Sequence, residues 1–218
     1  MGKILVTGAT GFVGQWLIRD LEAAGHEAIG APSSATLDIT DAQSVTALAA
    51  AVHPDAIAHL AGVAFARDAQ ADPNRAMAVN AGGTQAVIDA ASQLDKPIPV
   101  LVSGSSEVYG LPAPSDLPLR EVAPLRTDQP YGLSKLAQER VAIERGSALG
   151  VPIVVTRSFN HTGPGQRPEF VAPALARRIA RARQTGILEV VVGNLDVRRD
   201  IGDVRDVVRA YQIGRAHV

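Results

Sequence analysis

Tyr131 and Lys135 stand four residues apart in Tyr131-Gly-Leu-Ser-Lys135, directly after Pro130. Residues at that spacing share one face of a helix, and proline suits the first helical position. A phenol titrates near ~10 and is a poor proton carrier at neutral pH. A nearby ammonium favours the phenolate, so the pair is expected to exchange a proton with a carbonyl or alcohol oxygen. By itself the spacing also suits an ordinary surface pair. A second segment gives it weight. Ser103-Gly-Ser-Ser-Glu-Val-Tyr-Gly110 follows the apolar run Val100-Leu-Val102, and strand ends of this kind carry the active site in open α/β sheets. Ser105 is suited to hydrogen-bond a reacting oxygen. Glu107 suits three roles on chemistry alone: a base, an acceptor for a substrate hydroxyl, or a structural cap.

A place for an electron carrier lies at the other end of the chain. The apolar run Ile4-Leu-Val6 stops at a turn carrying Gly8, Gly11 and Gly14, and a helical pattern then begins with Phe12, Val13, Trp16, Leu17 and Leu21 on one face. Strand, glycine turn and helix is the context that makes such spacing meaningful. Gly8 permits the tight turn, Gly11 lets a pyrophosphate approach the backbone, and Gly14 lets helix and strand pack closely. The free N–H groups and positive helix end then hold phosphates, with Thr10, Phe12 and Val13 in the same cradle. With a nicotinamide dinucleotide there, the proton exchange at Tyr131 accompanies hydride transfer.

The second strand of this fold normally ends on an acidic residue that binds the ribose of NAD. Here the text is Gly30-Ala-Pro-Ser-Ser34. It holds neither a carboxylate to repel a 2′-phosphate nor an arginine to welcome one. Ser33 and Ser34 accept either ribose, and the reading favours NADP(H) narrowly over NAD(H). Asp38 and Ile39 either flank the adenine or belong to a helix-capping segment with Thr40 and Asp41. The strand end His59-Leu60-Ala61-Gly62 is expected beneath the nicotinamide half, with His59 packed and hydrogen-bonded rather than acting as a base.

The elements that must position these groups alternate. Strands are expected near 3–7, 26–30, 55–60, 98–103, 151–157 and 188–192. Helices are expected over 12–24, 41–52, 74–94, 131–149, 169–185 and 203–212. Short, continuous Val/Ile/Ala runs between helices predict an α/β fold, a Rossmann-type doubly wound parallel sheet covered on both faces. The proline-rich stretch 111–130 is the long loop. The 218 residues suit one large domain, or one with a small appendage, and with 46% hydrophobic and 20% charged residues they can build a sizeable core. Net charge is −1, which argues against a nucleic-acid partner, and the chain has no cysteine for disulfide, thiolate or cysteine–zinc chemistry. No metal site is expected. No run reaches the ~18 apolar residues of a membrane span and no leader is read at the N-terminus, so a cytoplasmic location is expected.

Together TGATGFVG (7–14), SGSSEVYG (103–110) and YGLSK (131–135) resemble the extended short-chain dehydrogenase/reductases, a superfamily of nucleotide-sugar epimerases, dehydratases and reductases. Further text narrows the likeness: Arg157-Ser-Phe-Asn-His-Thr-Gly-Pro-Gly-Gln166, Glu169-Phe-Val171, Val192 to Asp200, and Asp203-Val-Arg-Asp206. It is similar to the GDP-4-keto-6-deoxy-D-mannose reductases, and somewhat less to the GDP-mannose 4,6-dehydratases. The resemblance implies catalytic roles for Ser105, Tyr131 and Lys135. It implies a base role for Glu107 if the chain is a dehydratase. Substrate contacts follow for Ser105, Ser106, Asn160 (diphosphate) and Arg199 (nucleotide). Ser33 replaces an arginine frequent in the reductases. The implied reaction is reduction of a 4-keto group on a nucleotide-linked 6-deoxyhexose, with Tyr131 giving the proton, Lys135 holding the ribose and lowering the tyrosine pKa, and Ser105 polarising the carbonyl. The alternatives are a dehydratase or epimerase that retains its cofactor, and a non-catalytic dinucleotide-binding module. The resemblance also implies a homodimer through the Tyr131–Lys135 helix.

The resemblance also implies a C-terminal continuation. The expected organisation is a dinucleotide-binding domain (1–157), an incomplete substrate lobe (158–212) and a non-native tail (213–218), since Ile213-Gly-Arg-Ala-His-Val218 matches the conceptual translation of a sequencing adapter. Cofactor binding is then expected to survive better than turnover, and apolar surface of the lobe to be exposed.

Overall fold

Alternation along the first strand sets the architecture. Ile4 and Val6 face one side of a sheet and Leu5 the other, and all three are buried. The computed structural model describes residues 1–187 and 189–216, the side chains of 213–216 excepted. Five parallel strands form the sheet: β1 (Lys3–Thr7), β2 (Glu27–Gly30), β3 (Ala56–His59), β4 (Val100–Ser103) and β5 (Ile153–Thr156), in the order β2-β1-β3-β4-β5. The register pairs Thr7 with His59 and Ser103 with Thr156, so these strand ends lie side by side. Helices α1 (Phe12–Ala23), α2 (Ala42–Val52), α3 (Ala66–Ala71), α4 (Pro73–Met77), α5 (Gly83–Ser92), α6 (Pro130–Leu149), α7 (Val171–Thr185) and α8 (Val204–Ala216) complete the chain.

Each sheet face has its own core. Leu5, Ile57, Val100 and Val102 pack under Val45, Ala49, Ile88 and Ala142 from α2, α5 and α6. Ile4, Val6, Ala58 and Leu101 pack under Leu17 and Leu21 of α1 and Val204, Val208 and Tyr211 of α8. Residues buried on both faces explain why the strands read as continuous apolar runs. The strand order reverses between β1 and β3, and the crevice beyond their carboxyl ends is where ligands settle in such sheets.

Three sequence expectations change. The helix expected over 74–94 is interrupted: a π-helical turn, Ala78–Gly82, separates α4 from α5, and α3 precedes them. The glycine pair Gly82-Gly83 supplies little side-chain packing to hold regular helix there. The strand expected over 188–192 is irregular in its described part, 189–192, and residue 188 lies outside the described residues. There the Val191 carbonyl accepts from Arg178 of α7 at 2.9 Å instead of joining a ladder. A separate parallel pair appears instead, β6 (Asn160–Thr162) with β7 (Ile201–Asp203). Of the tail expected over 213–218, residues 217–218 and the side chains of 213–216 lie outside the described residues.

Candidate active site

The glycine turn is closed by its own backbone. Gly8 adopts φ +70°, and a Cβ there would meet the Ala61 nitrogen at 2.7 Å and the Leu60 carbonyl carbon at 2.8 Å. Gly14 is buried against the same turn: a Cβ would fall on the Gly8 carbonyl oxygen and within 2.8 Å of the Ala9 Cα. Any larger residue at either position must push β1, β3 and α1 apart. Gly11 caps α1 without a side-chain hydrogen bond, and the first turn holds no acidic residue. The leading N–H groups of that helix thus lack a side-chain cap and stand at its positive end, a fit for phosphate. Phe12 stacks on His161 with ring centroids 6.3 Å apart, and the Trp16 indole donates to the Pro164 carbonyl at 3.0 Å, so the loop after β6 is docked onto the start of α1. Thr10 is exposed, while Val13 packs with the second core.

Ser33 and Ser34 lie just past β2, and the Ser33 carbonyl caps a local turn by accepting from Thr36 and Leu37. Asp38 accepts from the Thr40 amide and hydroxyl at 2.9 and 2.8 Å, which hold its carboxyl below the usual range. Asp41 caps α2 through the Gln43 amide. Ile39 is a core side chain packed beneath Gly83. The capping interactions are thus present at this segment.

Tyr131 and Lys135 both sit on α6, which begins at Pro130. Lys135 is buried, and its Nζ donates to the Ser103 carbonyl and to Gln138 Oε1, each at 2.9 Å. A Cβ on Gly62 would come within 3.6 Å of that nitrogen. The β3 end, which also braces Gly8, therefore connects the glycine turn to Lys135. Ser105 opens the 3₁₀ turn Ser106–Tyr109 after β4, accepts from the Glu107 amide at 3.2 Å, and lies close enough to the Tyr131 phenol to favour its ionised form. Ser106 donates its amide to the Ser158 carbonyl at 3.0 Å. Glu107 is exposed, with its charge felt by Tyr131.

Electrostatics differ from the expected depression of the phenol. Burial pushes Tyr131 up to about 12, with Glu107 and Tyr211 adding to the rise and Ser105 opposing it. The lysine ammonium is engaged by Ser103 and Gln138 and does not offset the desolvation. Burial also brings Lys135 down to about 8. At neutral pH Tyr131 thus holds its proton and Lys135 its charge, an arrangement suited to giving a proton rather than taking one.

Asn160 and Arg199 lie away from α6. Asn160 is exposed at the start of β6, paired with Ile201, two residues beyond Arg199. The described hydrogen bond of Arg199 goes to the Arg198 carbonyl. Sequence reasoning missed Asn80. Buried in the π turn, its Oδ1 accepts from the Val63 amide at 2.8 Å, and its Nδ2 donates to Ser134 Oγ at 2.8 Å. Ser134 donates in turn to the Tyr131 carbonyl at 2.7 Å. The signal available was the glycine pair that breaks the helix.

His59 is wholly buried between Thr7 and Thr84, and burial, aided by Lys135, brings its imidazole down to about 3. The unfolded chain takes up this proton below about 6.5 and the folded chain does not. Stability contributed by the neutral ring is present above pH 6.5 and falls by about 1.4 kcal/mol per pH unit as the pH drops towards 3. A His59→Gln chain should lose one proton's worth of that slope in urea unfolding between pH 6.5 and 4.5. Equal slopes in the two chains would refute the assignment.

The sequence profile of the NAD dependent epimerase/dehydratase family matches residues 4–217. This chain belongs to that family. Among epimerase/dehydratase proteins it is 37% identical to the GDP-6-deoxy-D-mannose reductase of Pseudomonas aeruginosa, over 96% of this chain and 69% of the relative. It is 31% identical to the GDP-6-deoxy-D-talose 4-dehydrogenase of Aggregatibacter actinomycetemcomitans, over 94% and 67%. The solved structure of RMD from Pseudomonas aeruginosa complexed with NADPH superposes with a TM-score of 0.87 at 37% identity, covering 97% of this chain and 71% of that one. The family is NAD(P)-dependent and enzymatic, and its Rossmann-type fold is the one seen here. Among the described residues no helix is long and apolar enough to cross a membrane.

Proposed function

We propose that this chain is an NADP(H)-dependent reductase of the 4-keto group on a GDP-linked 6-deoxyhexose. One observation carries the reading. Lys135 reaches the Ser103 carbonyl at the end of β4 and lies beside Gly62 and the glycine turn, with Tyr131 one helical turn away on α6 and Ser105 two residues past the strand. When bound, the dinucleotide supplies the hydride. Tyr131 gives its proton to the developing alkoxide, Ser105 hydrogen-bonds the same oxygen, and the Lys135 ammonium holds a ribose hydroxyl and stabilises the phenolate as it forms. The leading N–H groups of α1 hold the pyrophosphate. The 37% identity to a GDP-6-deoxy-D-mannose reductase and the likeness to the NADPH complex of RMD support the sugar, the base and the phosphorylated cofactor.

Several further assignments belong to this proposal. Residues 1–157 bind the dinucleotide, with Ser33, Asp38 and Ile39 on the adenosine side and Leu60, Ala61 and Gly62 under the nicotinamide. Residues 158–212 carry Asn160 and Arg199 towards the GDP portion, and Ser106 lies on the sugar side. The chain works in the cytoplasm as a homodimer through α6, where Leu133 and Ile143 are exposed. A single-chain mass in sedimentation equilibrium would remove the dimer.

Fluorescence titration with NADPH and NADH, followed by consumption of NADPH with GDP-4-keto-6-deoxy-D-mannose, tests the function. Tighter NADPH binding and a GDP-6-deoxyhexose product are expected, and failure to bind either dinucleotide defeats the reading. Glu107 beside Tyr131 favours a second reading, a 4,6-dehydratase. A 4-keto product from GDP-mannose without added NADPH would select it.

A further inference from the structure

We propose that Gln138 is a positioning residue for the Lys135 ammonium, its carboxamide held in one orientation by a buried chain of hydrogen bonds through Thr84 and His59 to Thr7. The proposal rests on the role given to Lys135 above. Its geometry follows from counting donors. The Thr84 hydroxyl has one proton, and gives it to the Asn80 carbonyl at 2.7 Å. Its other contacts, Gln138 Nε2 at 2.9 Å and His59 Nε2 at 3.0 Å, must therefore donate to it. With its NH₂ committed to Thr84, Gln138 presents its oxygen to Lys135 Nζ at 2.9 Å. His59 carries its proton on Nε2, so Nδ1 accepts from the Thr7 hydroxyl at 2.7 Å. Thr7 Oγ1 accepts in turn from the Ala61 amide at 3.2 Å.

All five side chains are at most 5% exposed. A turned carboxamide would set NH₂ against the ammonium and leave Thr84 without its donor, a costly arrangement in a buried network. The chain ends on a backbone N–H, so it holds and does not conduct protons. Around Lys135 stand His59 and Gly62 from the β3 side, the Ser103 carbonyl from β4, and Gln138 and Tyr131 from its own helix, with Glu107 facing Tyr131. Ser103 and Gln138 take two of the ammonium's three donors. The third is left for a ligand hydroxyl.

The test follows the Lys135 side chain by ¹³C and ¹⁵N NMR titration of the 218-residue chain and its Gln138→Met, Gln138→Glu and Thr84→Val variants, with no dinucleotide added. Loss of the acceptor in Gln138→Met should lower the Lys135 midpoint by about one pH unit. Gln138→Glu should raise it, and Thr84→Val should fall between wild type and Gln138→Met. The His59 ring should show the Nε2–H tautomer. In parallel, the NADPH Kd should rise about fivefold in Gln138→Met and recover in Gln138→Glu. An unchanged Lys135 midpoint in Gln138→Met, or an Nδ1–H His59, overturns the proposal. If Gln138→Met does not fold, the opposite shifts in the other two variants decide. NADPH binding that ignores every variant while the midpoint moves would instead remove the ribose-holding role of Lys135.

Discussion

A Tyr131→Phe chain should bind NADPH as tightly as the parent and reduce the keto sugar about a thousandfold more slowly, the share that a positioned proton donor contributes. Phenylalanine keeps the ring and its packing at the start of α6, so binding reports the intact pocket. What disappears is the hydroxyl near Ser105. With the phenol pushed up to about 12, only about one molecule in 10⁵ carries the phenolate at pH 7. Proton donation is therefore ready at neutral pH, and abstraction from an alcohol is not. The parent should reduce ketones across neutral pH, and its reverse oxidation should rise by up to about tenfold per pH unit on the alkaline side. Rates can be read from the loss of NADPH absorbance in a single turnover. A Tyr131→Phe rate within tenfold of the parent would take proton transfer away from this residue.

An Arg157→Ala chain should be less stable by about 3 kcal/mol, towards the lower end for breaking a buried ion pair because a fifth of the arginine side chain is exposed. The guanidinium contacts three parts of the structure. It forms a two-pronged pair with Glu139 of α6, with Nε to Oε2 at 2.9 Å. It donates to the Tyr109 hydroxyl at 2.9 Å and to the Glu121 carbonyl at 2.7 Å, and it lies 5.1 Å from the Tyr109 ring centroid. Without it, the buried Glu139 carboxylate has lost its cation, and the segment 111–129 has lost its tie to the 3₁₀ turn that carries Ser105. Arg157→Lys should recover only part of the loss, because an ammonium cannot reproduce the planar fork. Urea unfolding gives the free energy, and limited proteolysis reads the loosening of 111–129. A loss below about 1 kcal/mol would mean that the pair behaves as an ordinary surface bridge.

The glycine turn and the Tyr131–Lys135 pair were legible because their geometry is local. Gly8 and Gly14 are needed by one turn and one helix, and Tyr131 and Lys135 by one helical turn. Strands β1, β3 and β4 were legible because residues on both their faces are buried, and β2 and β5 because short apolar runs alternate there with helices. What escaped depends on distant partners. Asn80 and Ser134 are 54 positions apart, as are Thr84 and Gln138, and nothing in the local pattern of either segment announces the other. The π turn that brings Asn80 inward looked like continuous helix, since Ala78, Val79 and Ala81 fit either winding. Strands β6 and β7 have three residues each, too short for alternation to show. Val190 to Val192 looked like a strand by composition, but its backbone partner is an arginine from α7. The expected lowering of the Tyr131 pKa is reversed because burial outweighs any help from the neighbouring lysine.

The lid over Ile4, Val6, Ala58 and Leu101 comes from two distant places, α1 and α8, joined where Gln212 donates to Asp20 at 2.7 Å across 192 positions. A ribosome adding about 5–20 residues per second leaves that side of the sheet half-covered for roughly ten to forty seconds after the first helix emerges. Such a nascent chain offers chaperones a broad greasy surface, and its final collapse waits on an encounter between segments 192 positions apart.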